Sequence, residues 1–230
     1  MFDIDVLLPD FLSIMEAVPV TLAMAVTIFL FSTLVGGLFA FIEHKRIVVL
    51  RQLVITYKIA FKGVPMVVVI FLAYYGLPPA LHFVASMFGV DVNAHSLPNW
   101  VIIIVALTAC VAAFQAEVVK GALNSFDAGQ ADAAHSLGYT QAQLFRRVLF
   151  PQIIVAAIPD LANAFMVIMK ALSLAFAIEV IDIFAQAQLT AALNFYYLEA
   201  FAIAVVFYMV IAYIVTKAAD KIEAALRVRT

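Results

Sequence analysis

The sequence predicts an all-α, polytopic membrane protein, a bundle of five transmembrane helices. Three observations carry that expectation. Hydrophobic residues make up 67% of the 230-residue chain, where a soluble domain has roughly 45–50%. Charged residues are 12%, about half the share usual for soluble domains, and mean hydropathy is +1.11. Finally, the apolar residues fall in long runs divided by charged connections. Soluble, disordered and collagen-like classes are excluded on composition alone. A net charge of −2 leaves no basic footprint for nucleic acid, whose phosphates must be neutralised by Lys and Arg. Cys110 is the single cysteine and cannot form an intrachain disulfide.

A helix that crosses the hydrocarbon core needs about 20 mostly apolar residues. Span one is expected at 17–42, which carries no charge. The first basic residue is Lys45, and Asp3, Asp5 and Asp10 precede the apolar run, so it reads as a retained helix and not a cleaved signal. Span two is expected at 57–77, stopped by Pro78-Pro79. Span three is placed at 100–117, with Trp100 as an interfacial anchor, and span five at 196–216. Span four, at 153–178, is interrupted by Asp160 and Lys170.

Basic residues orient these spans, because short cytoplasmic loops retain Lys and Arg. Lys45, Arg46, Arg51, Lys58 and Lys62 follow span one. Lys120, Arg146 and Arg147 follow span three, and Lys217, Lys221, Arg227 and Arg229 form the tail. The N-terminal arm and the connections 78–99 and 179–195 have none. The alternation predicts an external N-terminus and a cytoplasmic C-terminus.

The connection at about 120–150 is far longer than the 2–8 residues, roughly, that join neighbouring bundle helices. Asp127 with Gln130 reads as a capped start for a helix over 128–136, and Gly138 sits where a left-handed residue would end it. Thr140 with Gln143 repeats the capping-box pattern, and opens a second helix whose Leu144, Phe145, Val148 and Leu149 share a face. Pro151 marks the return into the membrane. Taken alone, this protrusion suits equally a hairpin that covers the bundle and a docking element for a soluble partner.

A charge inside a membrane helix is a functional candidate. Lys58 and Lys62 stand at the start of span two, so Lys170 is the one basic residue deep within an expected span, and Asn163, Met166, Lys170 and Ser173 fall on one helical stripe. Its ammonium either attracts a substrate carboxylate or pairs with a carboxylate or carbonyls of a neighbouring helix. Asp160 lies roughly 15 Å away along the helix, too far to be that partner. Glu117 and Lys120, three apart, read as a local surface pair. Spacing around His82 and His95 resembles no metal site. None of the eight glycines is followed by Lys, so no phosphate-binding loop is present and any ATP must be hydrolysed elsewhere. The residues alone leave open a membrane enzyme using Glu117, Asp160 and Lys170, and a self-contained secondary transporter, against which the lack of visible inverted repeats argues.

The run from Glu117 through Gly121, Asn124, Gly129, Gln130, Asp132, Ala133, Ala134 and Gly138 to Arg146, Arg147 and Pro151 resembles the EAA loop of ATP-binding-cassette (ABC) importer permeases. Lys62-Gly63-Val64-Pro65-Met66, Tyr74-Tyr75-Gly76-Leu77-Pro78, and Pro159, Asn163, Lys170, Ser173 and Leu174 resemble segments of the polar amino-acid subfamily. Asp132 stands where that pattern has Glu, Lys62 where it has Arg, Val64 Thr, Val69 Gln, and Ala171-Leu172 Asp-Thr. The last four substitutions remove hydrogen-bonding groups near the expected substrate path.

The resemblance implies a type I importer fold in a bacterial inner membrane, surrounded by lipid. It implies two ABC ATPase subunits docking on Gln130, Asp132, Ala133, Ala134 and Gly138, with ATP and Mg held by the ATPases and no cofactor in this chain. In that reading Ala133 and Ala134 form a small surface that enters a groove, Gly138 makes the turn and Asp132 supplies a polar rim contact. A second permease chain, identical or different, and an extracellular solute-binding protein that delivers a polar amino acid complete the assembly.

Overall fold

The computed structural model describes residues 6–45, 47–90, 97–124 and 128–227. Asp3, Asp5, Arg46, His95, Asp127 and Arg229, which entered the expectations above, lie outside them, as does the side chain of Asp132. The described chain is helical throughout, without strands. In order it forms α1 (Leu7–Met15), α2 (Val18–His44), α3 (Val48–Gly63), α4 (Met66–Met87) and α5 (Asn99–Asn124). Then come α6 (Ala128–Ser136), α7 (Gln141–Leu144), α8 (Phe150–Leu172), α9 (Ile183–Asn194) and α10 (Tyr197–Arg227). Five segments are long and apolar enough to cross a membrane, based on Leu7–His44, Met66–Met87, Asn99–Asn124, Gln141–Ile178 and Tyr197–Arg227.

The second segment differs from its expected course at both ends. Val64 precedes a proline and is extended, at φ −95° and ψ 134°, because the Pro65 ring disfavours helical geometry in the residue before it. That divides α3 from α4. Pro78 and Pro79 lie inside α4 instead of ending it. Each removes one backbone hydrogen bond, but leaving the helix within an apolar medium would strand several, so the helix continues.

The fourth segment begins well before the expected return at Pro151. A π-helical turn over Phe145–Leu149 joins α7 to α8, and the Phe150 amide donates to the Phe145 carbonyl five residues back. The wider turn accommodates the proline that follows, which has no N–H to give. It also rotates the second loop helix, so the expected shared face is split. Leu144 is buried and Phe145 is exposed. Leu149 packs instead on a small apolar cluster of Ala122, Ile153 and Ala157.

The core sits around α5, whose Ile103, Ala106, Leu107 and Val111 pack with Met24, Ala25 and Ile28 of α2 and with Ile168, Met169 and Leu172 of α8. Lipid is as apolar as these side chains, so close backbone approach and van der Waals contact hold the helices together. Small residues supply that approach where Gly36 of α2 meets Ala112 and Ala116 of α5.

Two elements had no sequence expectation. The short α1 stacks Phe11 on Phe207 of α10 at 4.9 Å between ring centroids, and joins α9 through polar contacts. Asn194 Nδ2 donates to Asp10 Oδ1 at 3.0 Å, Gln186 Nε2 donates to Ser13 Oγ at 3.0 Å, and the Ser13 and Thr190 hydroxyls meet at 3.0 Å. The buried Asp182 caps α9, accepting the Ala185 amide at 2.9 Å and the Tyr208 hydroxyl at 3.2 Å. Thr21 Oγ1 accepts the Ile183 amide at 3.1 Å.

Candidate functional site

The connection between α5 and α8 is built from two local signals that hold. Gly138 adopts φ +81°, the left-handed geometry that glycine reaches without a Cβ penalty. The Tyr139 amide donates to the Ala134 carbonyl at 3.0 Å and the Gly138 amide to the His135 carbonyl at 2.9 Å, closing α6 with a Schellman turn. Thr140 then opens α7: the Gln143 amide donates to Thr140 Oγ1 at 3.3 Å and the Thr140 amide to Gln143 Oε1 at 2.9 Å. Two helices are therefore held at a set angle by backbone and cap bonds.

Of the five residues expected there, the side chains of all but Asp132 are described. Ala133 is exposed, but Ala134 is buried, at 6%, beneath the turn it helps close. Gln130 is exposed and accepts from Gln152 Nε2 at 3.0 Å. It thereby ties α6 to the start of α8. These two glutamines open on a cavity of about 450 Å³ that is also lined by Pro159, Glu223 and Arg227, so the loop meets the last turns of α10.

Along α8, Asn163 and Lys170 are exposed, Ser173 is half-buried, and Met166 packs against the core. Ser173 Oγ donates to the Lys170 carbonyl at 2.7 Å. From Ser173 the helix tightens to 3₁₀ geometry through Ile178 and ends at Glu179, a non-glycine residue at φ +60°. A 3₁₀ stretch that continues an α-helix is a common hinge. Among the described residues no carboxylate lies within 4.0 Å of the Lys170 ammonium. Asp160 is likewise exposed, and Glu117 is engaged elsewhere, so the three residues of a membrane-enzyme reading are not brought together.

Glu117 and Lys120 are not the local pair their spacing suggested. Lys58 Nζ donates to Glu117 Oε1 at 2.9 Å and also pairs with Glu43, while Lys120 Nζ donates to Glu43 Oε2 at 2.6 Å. Lys62 stands 3.7 Å from Glu117 and over the Phe114 ring. Charges from α2, α3 and α5 thus alternate across three helix ends. The central Glu43 carboxylate is 4% exposed. Glu43 drew no attention in the sequence and Lys58 counted only toward orientation, because their partners are distant along the chain. Among the described residues no group of three His, Cys, Asp or Glu side chains can hold a metal ion.

This helical arrangement matches known proteins. The family described as binding-protein-dependent transport system inner membrane component matches residues 45–228. The chain belongs to that family. It is 35% identical over 224 residues to the probable amino-acid permease protein YxeN of Bacillus subtilis, covering 97% of this chain and 96% of that protein. It is 34% identical to the probable amino-acid ABC transporter permease protein PatM of Vibrio harveyi, covering 94% and 96%. The solved structure of an amino acid ABC transporter with histidines superposes with a TM-score of 0.81 at 24% identity, over 98% of this chain and 99% of that one. The methionine transporter MetNI, in an inward-facing conformation, superposes with a TM-score of 0.72 at 20% identity, over 95% and 98%.

In this permease both α4 and α8 carry exposed stripes. Leu72 and Tyr75 of α4 are 72% and 71% exposed, and with Val68 they form a stripe at helical spacing. The exposed Asn163, Val167 and Lys170 form another on α8.

Proposed function

We propose that this permease passes a polar amino acid across a bacterial inner membrane as part of an ATP-driven importer. The observation that carries the reading is its match, over nearly the whole chain, to relatives named as amino-acid permeases. The N-terminus faces outside and the C-terminus the cytoplasm, the sense set by the basic residues. An extracellular binding protein delivers the substrate. A second permease chain covers the open stripes of α4 and α8, and Lys170 reaches the path between the two chains, where its ammonium attracts the substrate carboxylate.

Two ATPase subunits, which hold ATP and Mg, dock on the α6–α7 turn. Ala133 gives the low surface that enters their groove, Asp132 and Gln130 contact its rim, and Gly138 sets the angle between the two helices. Because α7, the π-helical turn and α8 form one continuous segment, movement of the turn is passed directly to the helix that carries Lys170. Tilting of α8, with flexure at Ser173–Ile178, then exchanges outward for inward access.

The test is reconstitution in vesicles with the ATPase and the binding protein, followed by a screen of polar amino acids. ATP hydrolysis and uptake stimulated together by one class of amino acid are expected. Uptake that persists without the ATPase, or stimulation by no amino acid, overturns the reading.

A further inference from the structure

From the charges gathered at the ends of α2, α3 and α5, we infer a binding site for the phosphodiester headgroup of an anionic phospholipid. Two adjoining cavities, of about 320 Å³ and about 360 Å³, share Glu43, Arg51 and Lys120 in their walls. The first is lined by Arg51, Lys58, Lys62 and Lys120 against two carboxylates, Glu43 and Glu117, a surplus of two positive charges. The carboxylates are already occupied by Lys58 and Lys120. Among the described residues the Arg51 guanidinium has no acidic partner within 4.0 Å. An anion entering here therefore meets donors that are not yet neutralised. A planar guanidinium suits two oxygens of one phosphate.

Place and shape favour a lipid as the source. The basic residues Arg51, Lys58 and Lys62 recur on α3 at spacings of seven and four, one stripe of the helix. Elsewhere on the same helix Val48, Val49 and Leu53 are exposed, an apolar surface for acyl chains beside a cationic pocket for the headgroup. Basic pockets between transmembrane helices at the membrane surface are recognised in this way by anionic headgroups. Further donors, from His44 and Asn124, line the second cavity.

The full chain is purified with its ATPase and placed in phosphatidylcholine bilayers with and without phosphatidylglycerol. Retained phosphatidylglycerol is then counted by mass spectrometry across a salt titration. Arg51→Gln weakens retention about fivefold, the loss typical of one cation near an anionic surface, and Arg51→Gln with Lys62→Gln weakens it further. Arg51→Lys restores most of it. Equal thermal midpoints of wild type and Arg51→Gln in phosphatidylcholine alone show that folding is unaffected. Equal phosphatidylglycerol retention by wild type and Arg51→Gln overturns the proposal. Inorganic phosphate that binds the pocket as well as phosphatidylglycerol does makes it a free-anion site and overturns the lipid assignment.

Discussion

Gly36 of α2 lies so close to α5 that a Cβ built on it would stand 2.9 Å from the Ala116 backbone nitrogen and 3.0 Å from the Ala112 carbonyl oxygen. Backbone cannot yield as a side chain tip can, so Gly36→Val forces two central helices apart. A loss of about 1–3 kcal/mol is expected, the usual range for overpacking. The neighbouring Gly37 has nothing within 4 Å of the equivalent position, and Gly37→Ala is neutral or stabilising by up to about 1 kcal/mol. Thermal melts of the two purified variants check the contrast, and equal midpoints would contradict it.

At Gly138 the constraint is backbone conformation, since no atom lies within 4 Å of an added Cβ while φ is +81°. Gly138→Val costs about 1–2 kcal/mol locally, and reorients α6 against α7. Membrane insertion is unchanged, and co-purification of the ATPase falls. Thr140→Ala, which removes a cap worth about 1 kcal/mol, has a milder effect in the same direction. Undiminished ATPase association and transport by Gly138→Val would remove the docking role.

Lys58→Met leaves the buried Glu43 with Lys120 alone and takes the closest cation from Glu117. Removing one partner of a buried ion pair costs about 3–5 kcal/mol; the low end applies because each carboxylate keeps a second Lys. Lys58→Met combined with Glu43→Gln recovers part of the loss, measured as the thermal midpoint in detergent. A double variant no better than the single one would show that the charge left at Glu43 is not the cause.

Burial raises the Asp182 carboxyl above its ordinary value, and the amides of Ala185 and Phe184 and the Tyr208 hydroxyl oppose this without overcoming it. A carboxyl whose folded value is raised stabilises fully below its unfolded value, and loses that contribution as pH rises through the folded one. Asp182→Asn keeps an acceptor for the Ala185 amide and removes the titration. Its stability relative to wild type therefore increases as pH rises from acid to neutral, as melts across that interval will show. A constant difference would assign the effect to packing instead.

Lys170→Met addresses the substrate path. If the ammonium attracts a substrate carboxylate, the concentration giving half-maximal stimulation of ATPase rises roughly tenfold, the equivalent of about 1.4 kcal/mol, while basal hydrolysis is unchanged. An unaltered half-maximal concentration would exclude that contact.

What could be read before folding was whatever is encoded locally. Apolar runs announce membrane helices through their length, and five such segments are present among the described residues. Gly138 and the Thr140–Gln143 box act within a few residues of backbone, and both do what their positions predict. The stripe through Asn163 and Lys170 required only helical periodicity. Proline was legible in kind but not in outcome: Pro65 breaks a helix while Pro78 and Pro79 remain inside one, because the result depends on whether the freed backbone groups have somewhere else to go.

The sequence by itself determined the membrane class, the existence of the long apolar helices and the turn between α6 and α7, since hydropathy, capping and the sign of φ are properties of short segments. Only the tertiary structure decided which charges meet. Lys58 finds Glu117 59 residues away, Lys120 finds Glu43 across 77, and Asp10 finds Asn194 across 184. In an apolar surrounding an unpaired polar group is costly, so these partners are selected by the packing of α1, α2, α3, α5 and α9, and no spacing along the chain announces them.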